Sequence, residues 1–180
     1  MAFPPCDRIS RYGLRSRAGD IAAQSADVLV NAAGTSLEMG SGVAGALRRG
    51  AGGAINEEAV SKGPVDLGGV AVTDAYDLDA EWVVHAAAMP HYGDGRATAE
   101  SIRDATRNAL ERADELGARS LVLPLLGTGV AGFEVADGAR LVSQVVAEYE
   151  PETLSDVRVI AYDDESVRTL ERVADDVLGS

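Results

Sequence analysis

Residues 123–133 read LPLLGTGVAGF: four mostly apolar residues run into a loop that carries three glycines in six positions. The apolar run completes SLVLPLL (120–126), and EVADGARLVSQVVAEYE (134–150) follows with helical spacing, so the loop is a strand-to-helix turn. Such a turn has two readings. Its backbone N–H groups can cradle a phosphate, or its glycines can serve steric needs alone.

Outward from this stretch, apolar runs alternate with helical patterns. ADVLVNAA (26–33), GVAVTDAY (69–76), WVVHAAA (82–88), SLVLPLL and VRVIAY (157–162) read as strands. Those that are apolar throughout imply burial on both sheet faces. RISRYGLRS (8–16) reads as an outer strand. TAESIRDATRNALERADELG (98–117) has a polar start at Thr98 and Ser101, an apolar face at Ile102, Ala105, Ala109, Leu110 and Ala113, and a stop at Gly117. ESVRTLERVADDVLG (165–179) repeats the helical pattern. The order β, α, β, β, α, β, α, β, α predicts an α/β protein, a three-layer α/β/α sandwich with a mixed, mostly parallel sheet. With no internal repeat or long linker, residues 1–180 are expected to form a single domain.

Composition narrows the function classes. The chain has 29 acidic and 16 basic residues, Lys62 as its one lysine, and a formal net charge of −13. Phosphate neutralisation needs Lys/Arg patches, so nucleic acid is a disfavoured partner. Acidic excess with almost no lysine suits hydration in a high-salt interior, and it reads as that adaptation rather than as a binding signal. One cysteine, Cys6, excludes an intramolecular disulfide, and with two histidines it cannot complete an ordinary zinc cluster, so no metal is expected. No signal-peptide pattern or ~20-residue apolar run is present, which leads to the expectation of a cytoplasmic protein with no membrane partner.

Three further segments sit where ligands bind in such sheets, beyond the carboxyl ends of the strands. In AGDIAAQSAD (18–27), Asp20 stands at a helix start, where capping is the simplest role for its carboxylate. NAAGTSLEMGSGVAGALRRGAGG (31–53) opens a helix near Val43 behind Gly40 and Gly42, a second ready anion site. It lacks the G-x-x-x-x-G-K-[ST] of a nucleoside triphosphatase. VRVIAYDDESV (157–167) ends its strand on Tyr162, an aromatic that can stack on a base or simply pack. Two glycine-rich loops after different strands of one sheet can enclose a pyrophosphate between them.

GDI (19–21), VLVNAA (28–33), GSGVAGAL (40–47), VVHAA (83–87), LPLLGTGVAGF and VIAYDD (159–164) occur in the order and approximate spacing of the macrodomain family. The chain resembles that family over residues 10–178, most closely its stand-alone prokaryotic members of the Appr-1''-p processing type. The resemblance implies a cleft for ADP-ribose or an ADP-ribosylated protein, with no cofactor. It implies that Asp20 receives the adenine amino group with the Ile21 backbone beside the ring, and that Tyr162 stacks on the base. Ser41, Gly42, Val43 and Ala44 would wrap the diphosphate from one side. Leu126, Gly127, Thr128, Gly129, Val130 and Ala131 would wrap it from the other, and Asn31 is retained on the distal side. Backbone N–H groups bind a diphosphate without cationic side chains, which suits so acidic a chain.

The sequence also departs from the family pattern. Gly34 stands where many relatives have a second asparagine near the distal ribose, Ala44 where one hydrolytic class has an aspartate, and Arg48, Arg49 and Gly50 where another has a lysine. Ala131 replaces an aromatic over the distal ribose, with Phe133 two residues later. The resemblance therefore implies binding of ADP-ribose first. The alternative is hydrolysis of an ADP-ribosyl bond or of an ADP-ribose phosphate or acetyl ester, by a water held near the diphosphate. His85, inside an apolar strand, reads as a satisfied core residue, and His91 in MPHYGDG (89–95) as a loop residue within reach of the cleft.

Overall fold

A computed structural model describes residues 15–91, 94–128 and 132–179. Six strands, β1 (Arg15–Ala18), β2 (Val28–Gly34), β3 (Val70–Asp74), β4 (Trp82–Met89), β5 (Ser120–Pro124) and β6 (Asp156–Ala161), form one sheet in the order β1-β6-β5-β2-β4-β3. Every neighbouring pair is parallel except β3 with β4. The mixed, mostly parallel sheet expected from the sequence is the one observed; of the outer strand expected over 8–16, residues 8–14 lie outside the described residues, and β1 runs beside β6 at the sheet edge.

Alternation along each strand builds two cores. In β2, Val28 and Val30 face one side and Leu29 and Ala33 the other; Leu121 and Leu123 of β5 oppose Val122 in the same way. On the first side lie α3 (Ala99–Glu115), α4 (Val135–Glu148) and α5 (Asp164–Leu178), which contribute Ile102, Leu110, Val142, Val145, Leu170 and Val173. The second side holds α1 (Gly42–Ala51) and α2 (Ile55–Ser61), which contribute Leu47, Ile55 and Ala59. Each fully buried Leu or Ile is worth about 1.5 to 3 kcal/mol.

Local signals explain most boundaries. Thr98 and Ser101 form the reciprocal capping box of α3, and the Ser101 hydroxyl also donates to the Ala88 carbonyl at 2.6 Å, tying the helix start to the end of β4. Asp163 caps α5 by accepting from the Ser166 N–H at 2.7 Å. The helix expected after β2 is divided: α1 stops at the Gly52–Gly53 pair and the short α2 follows.

The end of α3 is held by Asp114. Its carboxylate accepts from the Tyr149 hydroxyl, from the N–H groups of Glu152, Thr153 and Leu154, and from the Thr153 hydroxyl. Burial alone would raise its pKa, but these donors outweigh burial and hold it below the ordinary range. One side chain thereby fixes the turn between α4 and β6.

Candidate functional site

The carboxyl ends of β6, β5, β2 and β4 open into a cleft of about 820 Å³, within the size range of small-molecule sites. At its β1/β6 end, the Gly19 N–H donates to the Ala161 carbonyl at 3.0 Å and leads into a single 3₁₀ turn, Ile21–Ala23. One oxygen of Asp20 accepts the Ala22 N–H at 2.9 Å. The cap therefore uses Oδ1 and leaves Oδ2 for a second donor, so capping and ligand contact are compatible. Tyr162 lines the same end and is 91% exposed. That exposure removes the packing reading of this aromatic.

The first glycine loop reaches the cleft through Ser41, Gly42 and Val43. Ser41 occupies the N-cap position of α1, yet its side chain makes no capping bond. The first N–H groups of the helix are thus left for water or a ligand. Gly42 has φ +61°, and a Cβ there would meet nothing within 4 Å; the residue leaves open space in the cleft. Behind it the loop is clamped: Asn56 Oδ1 accepts the Met39 N–H at 2.9 Å, and Arg48 donates to the Met39 carbonyl at 3.2 Å.

The second loop reaches the cleft through Gly127 and Thr128. The Phe133 N–H donates to the Gly127 carbonyl at 3.0 Å and closes the loop at its base, while the Thr128 hydroxyl donates to Leu125 at 3.1 Å. Gly127 is glycine for a different reason from Gly42. With φ +80°, a Cβ here would lie 2.3 Å from Ile102 Cδ1 and 2.6 Å from Cγ1. The steric reading of this turn is correct for Gly127, and it coexists with an open face toward the cleft. Gly129, Val130 and Ala131 lie outside the described residues, as does Cys6.

Several expected site residues do not line the cleft. Ala44 and Leu126 are buried beneath the two loops. Asn31 is fully buried, and its Nδ2 donates to His85 Nδ1 at 3.0 Å. His85 Nε2 then donates to the Thr73 hydroxyl at 2.9 Å, which donates to the Asp74 carbonyl at 3.0 Å. Both ring nitrogens are engaged, as expected for a core histidine, and burial pushes the imidazole down to about 4. His91 turns from the cleft toward the loop after β2: Nδ1 bonds the Ser36 hydroxyl at 2.9 Å, and its N–H donates to Thr35 Oγ1 at 3.1 Å. Phe133 packs on the core.

Other lining residues were not anticipated. Ala32, Ala33, Ala88 and Met89 form the β2/β4 end, and Ala46, Arg49 and Ser166 join the walls. Gly42, Ala46 and Arg49 are spaced by four and three, the repeat of one helix face, so that periodicity carried the signal for Ala46 and Arg49. Asp20 and Arg49 are the charged side chains among the described lining residues.

Residues 30–142 match the Macro domain family model. A Sulfolobus acidocaldarius protein, uncharacterized in function, is 41% identical over 165 residues, covering 89% of each chain. The chain spans 45% of the length of a Mycobacterium tuberculosis relative to which it is 38% identical. Among solved structures, a mutant Oceanobacillus iheyensis macrodomain with ADPR superposes at a TM-score of 0.86, covering 96% of this chain and 97% of that one at 22% identity. A Trypanosoma brucei macrodomain in complex with ADP-ribose superposes at 0.81, covering 94% and 72% at 26% identity. The sheet, its helical layers and the cleft define a macrodomain fold. The chain belongs to the Macro domain family.

Proposed function

We propose that this macrodomain binds ADP-ribose or a terminal ADP-ribosyl group along the cleft. The supporting observation is the convergence of two glycine-bearing loops, after β2 and β5, on one cleft with Asp20 and Tyr162 at one end. Asp20 Oδ2 receives the adenine amino group, the Ile21 backbone lies beside the ring, and Tyr162 covers the base. Ser41, Gly42 and Val43 hold the diphosphate from one side and Gly127 and Thr128 from the other; Gly129, Val130 and Ala131 complete that jaw. The related Trypanosoma brucei structure, bound to ADP-ribose, supports the same ligand class.

Binding is favoured over hydrolysis by the lining at the β2/β4 end. Ala32, Ala33, Ala88 and Met89 offer no side chain that exchanges protons. Calorimetry with ADP-ribose, ADP and AMP tests the proposal: ADP-ribose and ADP bind and AMP is much weaker. Equal affinity for AMP would overturn the two-loop clamp. Incubation with acetyl-ADP-ribose or mono-ADP-ribosylated protein leaves the substrate intact; release of ADP-ribose would establish the hydrolase instead.

A further inference from the structure

Arg48 and Arg49 are adjacent on α1 but have different surroundings. Arg48 is committed to the Met39 carbonyl. Arg49 lines the cleft and has no ion pair or hydrogen bond among the described residues. Side chains on a helix lean toward its N-terminus, and this one folds back one turn. A Cβ placed on Gly45 would lie 3.3 Å from Arg49 Nη1 and 3.2 Å from the Gly40 carbonyl oxygen. The guanidinium therefore stands beside the first glycine loop, in room left by a missing side chain. In a protein of net charge −13, an unpaired guanidinium at this point offsets a field that would otherwise oppose any anion entering the cleft.

We propose that Arg49 is a specificity-determining residue: its guanidinium pairs with the phosphates of the ligand and selects diphosphate-bearing nucleotides over uncharged nucleosides. This rests on the reading of the cleft as an ADP-ribose site. The planar fork can pair bidentately with phosphate oxygens, which an ammonium cannot reproduce. Backbone N–H groups would then orient the diphosphate while Arg49 supplies the cationic charge.

The test uses the full chain and its R49K, R49A and R49E variants, with ADP-ribose followed by calorimetry and adenosine by ligand-detected NMR. Thermal melts serve as a folding control for this exposed position. Expected losses of ADP-ribose affinity are about tenfold for R49A and larger for R49E, with R49K between R49A and the parent. Adenosine affinity changes less than about twofold, and raising the salt concentration weakens ADP-ribose binding less in R49A than in the parent. Unchanged ADP-ribose affinity in R49A and R49E, or equal losses for adenosine, would overturn the role of Arg49 while leaving the proposed function standing. Absence of ADP-ribose binding by the parent would overturn both.

Discussion

Gly42 and Gly127 both have positive φ and both border the cleft, yet they answer to different constraints. At Gly42 the surroundings are empty, so G42A carries mainly the conformational penalty, about 1 kcal/mol in urea melts. The added methyl projects into open space at the first loop, and ADP-ribose binding should weaken more than stability does. At Gly127 the added methyl meets Ile102, so G127A should cost about 2 to 4 kcal/mol from overpacking and strain together. A G127A protein as stable as the parent would remove the steric account. For Asp20, whose Oδ1 is spent on the Ala22 N–H, D20A should reduce ADP-ribose affinity about tenfold, read by calorimetry. Unchanged affinity would remove the adenine assignment.

Between elements, two buried polar arrangements govern stability. The Asn31–His85–Thr73 chain crosses β2, β4 and β3, with Asn31 opposite His85 and Thr73 two residues along β3 from Ala71, the register partner of His85. His85 is neutral in the folded protein down to about pH 4, whereas an unfolded histidine protonates below about 6.5. Its contribution is therefore intact above pH 6.5 and is lost as pH falls from 6.5 toward 4, about 3 kcal/mol in all. An NMR titration of the imidazole reads the group directly; a midpoint near 6.5 in the folded protein would contradict it. Asp114 joins the end of α3 to the turn between α4 and β6, and D114A strands several donors, with an expected loss of about 2 to 4 kcal/mol in urea unfolding. Elements of this kind divide what the sequence makes legible from what it hides. Strand identity followed from apolar runs and α3 from its capping residues, because those causes are local. The burial of Asn31, the turn of His91 toward Ser36 and the place of Ser166 in the cleft wall depend on which strands become neighbours. The split between α1 and α2 was written in Gly52 and Gly53, a pair that the helical pattern on either side obscured.

For the molecule as a whole, charge is the dominant variable. With 29 acidic and 16 basic residues, folding gathers like charges that the extended chain holds apart. Potassium chloride screens this repulsion, so the melting temperature should rise steadily from 0.1 M toward 2 M salt. A melting temperature that falls over that range would show that the acidic surface is not the limiting cost. Salt also weakens the attraction proposed at Arg49, so the difference in ADP-ribose affinity between the parent and R49A should narrow as salt is raised. The contact between Gly127 and Ile102 has a further consequence, for the paths open to the sequence. A side chain at position 127 is accommodated more easily once position 102 has shortened, so a change at the cleft is coupled to one in the core. The cost of each change then depends on whether the other has already been made, and an I102A background should tolerate G127A better than the parent does.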